Sequence, residues 1–340
     1  MTGQSKRVLL TGASGFVGSH VLRHILVNTD WFVVCPTTFT HKGLTDRIRV
    51  ACDDIPDSYS RVKVVRCDFT APISAVTAHE FGEIDYVINV ASESHVDRSI
   101  EYPAPFIINN VSLICHLLDW ARVAQPEKII HVSTDEVYGP APIGYAHQEW
   151  VDQHFPSNPY AASKAAQEDI AFSYWRTYGL PIAITNTMNI IGETQDPEKF
   201  MPMVIKRVLS GERMTIHASP TGEIGSRFYL HARNQADGLL HVLGQHFPLY
   251  GETEMPERFH IVGEREVNNL EMAQMIANAV GKPLNYELVD FHSSRPGHDL
   301  RYALDGKKIE ETGWSLPIPL EESIDRTVQW TMNHPEWLNI

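Results

Sequence analysis

Six short, almost wholly apolar runs recur through the first half of this chain: "RVLLTG" (7–12), "WFVVCP" (31–36), "RVKVVRCD" (61–68), "IDYVINVAS" (84–92), "EKIIHVST" (127–134) and "PIAITNT" (181–187). Longer periodic stretches, among them 16–28, 104–124 and 158–178, separate them. A strand that is apolar on both faces needs cover on both faces, and helical crossovers between parallel strands provide it. The alternation therefore predicts an α/β chain built on a doubly wound parallel sheet. Beyond about residue 190 the regularity fades in "GETQDPEKFMPM" and "HASPTGEIGSRFYLH", which predicts a smaller α+β region toward the C-terminus. The expected division is a first domain over 1–188, joined by roughly 229–258, and a second over 189–228 and 259–340.

Composition narrows the class. The 340 residues carry a formal net charge of −14, which disfavours nucleic acid and anionic membrane as partners. No run approaches the ~20 apolar residues of a membrane span. Cys35, Cys67 and Cys115 sit inside apolar segments and Cys52 forms no C-x-x-C pair, so buried thiols and a reducing, cytoplasmic setting are expected. The 17 histidines show no H-x-x-x-H helix pattern, and no metal is predicted.

The first strand runs into "TGASGFVGSHV", where Gly12, Gly15 and Gly18 open a helix. Glycines there allow a tight turn and let backbone N–H groups approach a diphosphate at the positive helix end. The loop, Phe16 and Val17 included, is thus the expected dinucleotide site of a Rossmann-type sheet. The acidic residue that usually ends the second strand is missing, and Thr37 or Thr38 stands in its place with Lys42 close by. NAD is the expected cofactor, with NADP left open. Asp68, ending the third strand with Phe69, is placed either to contact the adenine or simply to make a turn.

Two further motifs carry proton chemistry. "SNPYAASKAA" sets Tyr160 and Lys164 four apart just inside a helix, on one face. An ammonium there is expected to lower the phenol's pKa and make it a base toward a sugar hydroxyl. "HVSTDEVYG" puts Asp135 and Glu136 behind Thr134 at the carboxyl end of a core strand, where ligands of open parallel sheets bind. Adjacent carboxyls desolvated together tend to keep one proton between them, giving one acid and one base.

Gly12-x-x-Gly15-x-x-Gly18 with Tyr160-x-x-x-Lys164 resembles the extended short-chain dehydrogenase/reductase family. More narrowly, "ASESHVDRSI" (91–100), "STDEVYG" (133–139), "SNPYAASKA" (157–165), "DPEKFMPMVI" (196–205) and "RPGHDLRYALD" (295–305) resemble the dTDP-glucose 4,6-dehydratases. That resemblance implies a redox-neutral lyase acting on a nucleotide-diphosphate hexose. Tyr160, hydrogen-bonded with Thr134, would take the 4-hydroxyl proton while C4 gives hydride to the nicotinamide, Glu136 would take the C5 proton, and Asp135 would protonate the departing 6-hydroxyl. It also implies a nucleotide-sugar site with Asn189, Lys199, Arg227, Arg295 and His298, the hexose near Ser94 and His95, and a homodimer formed through 104–124 and 158–178. Ile190, Ile191 and Asn234 depart from the family's pattern, so the base stays open between thymidine, uridine and another. The alternative activity is a nucleotide-sugar 4-epimerase, which needs Tyr160 and Lys164 but no acid pair.

Overall fold

The computed structural model describes residues 5–40, 42–290 and 299–339. Its centre is a seven-stranded, wholly parallel sheet in the order β10-β6-β5-β4-β1-β2-β3. The strands are β1 (Arg7–Thr11), β2 (Phe32–Thr37), β3 (Val62–Arg66), β4 (Tyr86–Asn89), β5 (Lys128–Thr134), β6 (Ile182–Thr187) and β10 (Glu257–Ile261). Alternation along each strand feeds two cores. Val8, Leu10, Val33 and Cys35 pack under α1 (Phe16–Asn28), α2 (Thr45–Cys52) and α8 (Ala232–Leu243). Leu9, Val34 and Val87 pack under α3 (Ala75–Phe81), α5 (Pro103–Ala124) and α6 (Pro159–Tyr178). Both faces are covered, which is why the strands are apolar throughout.

Each of the six apolar runs is a strand of this sheet, and the three longest periodic stretches are α1, α5 and α6. The seventh strand, β10, comes from far along the chain and pairs with β6. The irregular segments form a three-stranded sheet of β11 (Glu266–Asn268), β9 (Ser226–His231) and β7 (Asn189–Ile191), and a pair of β8 (Met214–Ala218) with β12 (Tyr286–Asp290). Their core joins α7 (Phe200–Ser210), α9 (Asn269–Val280) and α11 (Leu320–Asn333). The short α4 (Val96–Glu101) precedes α5, and α10 (Lys307–Glu311) lies against β10. No helix among the described residues is long and apolar enough to cross a membrane.

The strand order reverses between β1 and β4, so their carboxyl ends open a crevice. Gly12 turns the chain into it at φ +73, with Ala91 N 2.9 Å from where a Cβ would stand. Gly18 allows α1 to lie on that turn, since a Cβ there would meet Gly12 O at 2.0 Å. Backbone cannot yield as a side chain can. Gly18→Ala is expected to cost about 3 kcal/mol or more in urea unfolding; an unchanged midpoint would mean that α1 can slide without loss.

Candidate active site

One cleft of about 1270 Å³ runs along the carboxyl edge of the sheet, from the glycine turn to β8 and β9. At the cofactor end α1 starts at Gly15 with no side-chain cap and no acidic residue in its first turn. Its first N–H groups therefore suit an anion. Phe16, Val17, Thr37, Asp68 and Phe69 line the same end. The Thr37 hydroxyl bonds Ser14 at 2.8 Å, while Asp68 Oδ1 accepts from the Thr70 N–H and hydroxyl at 2.8 and 2.7 Å. With an uncapped helix start and a close-packed glycine turn, these residues fit a dinucleotide. Lys42 reaches away from them and pairs with Asp196 at 3.0 Å.

The acid pair is at mid-cleft. β5 ends at Thr134, and a short 3₁₀ turn over Asp135–Tyr138 follows at once. The Thr134 hydroxyl donates to Asp135 Oδ1 at 3.0 Å and accepts from Glu136 N–H at 3.3 Å. Asp135 is only 4% exposed, and burial followed by the charge of Glu136 pushes its carboxyl from the usual 3.8 up to about 7. Glu136, part-open to the cleft, is also raised by burial. Asn158 Nδ2 donates to its Oε2 at 3.0 Å and so favours the ionised form. The two neighbours are thus poised differently.

Tyr160 and Lys164 enter from the first turns of α6, which Asn158 caps by accepting from Ala161 N–H at 2.9 Å. Lys164 is buried, and its ammonium donates to Val132 O at 2.9 Å and Gln167 Oε1 at 2.7 Å. Burial brings it down to about 7, against the charge of Glu168. Tyr160 shows the opposite sign to the sequence expectation. Burial and the Glu136 charge raise its phenol above the ordinary range, and a hydrogen bond with Thr134 offsets this only partly. Desolvation and the carboxyls of Glu136 and Asp135 set the sign, and the Thr134 hydroxyl is what opposes them.

The sugar-nucleotide candidates scatter more widely along the cleft. Ser94, His95, Asn189, Lys199 and Arg227 all line it. His95 caps α4 through Nδ1 and meets Glu198 at 3.1 Å through Nε2. Lys199 stands at the start of α7 with no side-chain cap bond, and burial lowers its pKa. The Arg227 guanidinium donates to the carbonyls of Ser226, Leu300 and Asp299 and lies 4.6 Å over the Tyr302 ring, rather than presenting an open fork. Its charge still reaches both members of the acid pair. Arg295 and His298 lie outside the described residues.

Sequence reading missed Asn158, Gln167 and Tyr302. Asn158 has two amide ends, one capping α6 and the other holding Glu136. Outside the cleft, His20, Glu193 and His231 gather their ligand atoms within 4.8 Å, a grouping that could hold a metal. Arg233 stands 3.4 Å from Glu193, however, and His231 Nε2 meets the same carboxylate at 3.0 Å, so hydrogen bonds already tie the cluster together.

A parallel sheet with a glycine turn, a Tyr-x-x-x-Lys helix and a strand-end acid pair defines a dinucleotide-dependent sugar-nucleotide enzyme fold. The NAD dependent epimerase/dehydratase family model matches residues 8–250, and the chain belongs to that family. The dTDP-glucose 4,6-dehydratase of Escherichia coli is 32% identical over 97% of this chain and 95% of its own. The crystal structure of DesIV, a dTDP-glucose 4,6-dehydratase from Streptomyces venezuelae with NAD and TYD bound, superposes with a TM-score of 0.85 at 32% identity, covering 98% and 99% of the two chains. A Thermus thermophilus UDP-glucose 4-epimerase complex with NAD follows at TM-score 0.80 and 26% identity, covering 96% and 99%.

The raised Asp135 pKa has a consequence for stability. The unfolded chain loses this proton near 3.8 and the folded chain only near 7, so ionisation works increasingly against folding across that interval. Asp135→Asn is therefore expected to stabilise the protein at pH 8, by about 4 kcal/mol at most. The gain should vanish toward pH 4, as followed by thermal melting across pH; a gain independent of pH would contradict the buried-acid assignment.

Proposed function

We propose that the protein is a nucleotide-diphosphate-hexose 4,6-dehydratase, converting a dTDP- or UDP-glucose-like substrate to its 4-keto-6-deoxy sugar and water. The observation that carries the reading is the adjacent buried pair, in which Asp135 keeps its proton near neutrality while Asn158 favours an ionised Glu136. Epimerisation at C4 expels no leaving group and has no use for an acid at that place. The cofactor is NAD, held along Gly12, Gly15, Phe16, Val17 and Gly18, with Thr37, Asp68 and Phe69 on the adenosine side. Bound there, it supplies a cationic ring that accepts hydride from C4 and later returns it to C6.

The chain's own groups handle protons. Tyr160, bonded to Thr134, takes the 4-hydroxyl proton as C4 becomes a ketone. Burial raises its phenol, so the phenolate would form only beside positive charge, from the cationic ring of the bound cofactor and from Lys164 while it holds its proton. The new ketone acidifies C5–H, because the electron pair left behind delocalises as an enolate. Glu136 removes that proton. Asp135 gives its own proton to the 6-oxygen as the C6–O bond breaks, so water leaves and C5 and C6 become doubly bonded. Hydride at C6 and a proton returned to C5 complete a 4-keto-6-deoxy sugar with no net oxidation. Lys199, Arg227 and Asn189 face the diphosphate and nucleotide, with Arg295 and His298 as further candidates; Ser94 and His95 border the hexose.

The enzyme works as a cytoplasmic homodimer in this reading. Four free cysteines, three of them buried, suit a reducing compartment. α5 and α6 pack on each other and leave Ile108, Val123 and Tyr178 exposed. Ile108 is 65% and Val123 85% exposed, more than a lone helix pair needs to show water. Light scattering at micromolar concentration should give twice 38.4 kDa, and Ile108→Asp should shift the mass toward one chain; a monomeric wild type would count against the dimer.

Incubation with dTDP-glucose or UDP-glucose should yield the 4-keto-6-deoxy product, seen by NMR, without net accumulation of reduced cofactor. A C4 epimer as sole product would reject the reading. Glu136→Gln should bind the sugar nucleotide normally while losing C5 deuterium uptake by on the order of 10²-fold or more; unchanged uptake would remove Glu136 from its role.

A further inference from the structure

A second buried charged cluster lies directly behind the acid pair, on the core side of β5. Glu168 on α6 and Arg258 on β10 are 0% and 2% exposed and meet at 2.5 Å. The other Glu168 oxygen accepts from Asn186 Nδ2 at 2.7 Å, and the same amide nitrogen donates to the Thr134 carbonyl at 3.1 Å. Arg258 Nη1 donates to the Tyr138 hydroxyl at 2.7 Å. That hydroxyl in turn donates to His260 Nε2 at 2.9 Å, because His260 Nδ1 is committed to Asp305 O. His154 closes the cluster on Glu168 at 3.0 Å, and Trp150 stacks on the guanidinium at 3.9 Å.

The two ends of this network are the two ends of one short element. Asn186 grips the carbonyl of Thr134, and Arg258 grips the side chain of Tyr138. Only Asp135, Glu136 and Val137 lie between those fixed points. A buried ion pair adds little stability over apolar residues of equal size. Its use is therefore better sought in what it fixes. We infer that the Glu168–Arg258 pair, acting through Asn186 and Tyr138, is a positioning device that holds the Thr134–Tyr138 turn in register for proton transfer by Asp135 and Glu136.

The inference rests on the dehydratase reading and deepens it. None of these four residues is among those lining the cleft; each acts through the backbone or side chain of the turn. Proton transfer tolerates little misplacement, and a shift of about 1 Å can cost on the order of 10²-fold. Oxidation at C4 depends on Tyr160 and Lys164, seated in α6, and on the Thr134 hydroxyl at the β5 end of the turn, which Asn186 holds. Loosening the opposite, Tyr138 end should thus slow elimination more than oxidation. A purely structural role predicts otherwise, since lost folded protein lowers every step alike.

The test uses the full chain loaded with NAD, dTDP-glucose as substrate, and the variants Tyr138→Phe and Arg258→Met. Two steps are read separately in single turnover: nicotinamide reduction by absorbance, and C5 deuterium uptake from solvent by NMR. Tyr138→Phe, which removes one hydroxyl and keeps the packing, should lower deuterium uptake roughly tenfold or more while reduction stays within about threefold and KM is unchanged. Reduced nicotinamide should then build up on the variant. Arg258→Met should show the larger elimination defect, and adding Tyr138→Phe to it should cost less than the two single effects together, because both break the Arg258–Tyr138 bond. If Arg258→Met does not fold, Tyr138→Phe alone decides. Equal loss in both steps, or no loss in Tyr138→Phe, overturns the positioning role while wild-type product keeps the dehydratase reading. No 4-keto-6-deoxy product from the wild type overturns both.

Discussion

Two carboxyl groups on neighbouring residues cannot both shed their protons once water is withdrawn from around them. That constraint organises the cleft. Asp135 lines the cleft almost wholly buried, and both burial and its charged neighbour hold its proton to about 7. Glu136 stands at the open side with an amide N–H on its oxygen, so the charge of the pair settles there. An acid and a base arise from the same kind of side chain because one backbone step separates two environments.

The rest of the fold serves to create that step. A seven-stranded parallel sheet ends all its strands at one edge, and the change from strand to 3₁₀ turn at Thr134 leaves Asp135 buried and Glu136 part-open on the same cleft. Arg227 offsets part of the cost on both carboxyls, and Lys199 adds to it at Glu136. The same desolvation acts on every titratable group nearby, raising the Tyr160 phenol and lowering the Lys164 ammonium to about 7. A low dielectric makes each remaining charge count for more, so a single proton moved at one group is felt at the others.

The sheet was legible because its signal is local. Runs such as 127–134 and 181–187 are apolar on both faces, and β5 and β6 occupy Lys128–Thr134 and Ile182–Thr187. The motifs could be placed at strand ends and helix starts for the same reason. What stayed hidden depends on partners far apart in the chain. β10 pairs with β6 across more than seventy residues, and nothing in "ERFHI" by itself distinguishes it from another short strand. Glu168 and Arg258 look like ordinary helix and strand charges until the fold closes them on each other. The Tyr160 shift was misread because an ammonium four residues away is visible in sequence, whereas the extent of burial and the approach of Glu136 are not. Asn158 stayed hidden too, because the bond from its amide to Glu136 crosses twenty-two positions of chain.

The central claim is that one carboxyl of the pair stays neutral where the other is ionised. Carbon-13 NMR of aspartate- and glutamate-labelled protein, assigned through Asp135→Asn and Glu136→Gln, measures it directly. The account predicts that at about pH 6 the Asp135 carboxyl still shows the protonated shift and titrates near neutrality, at higher pH than Glu136. Two carboxyls fully ionised by about pH 5 would contradict it.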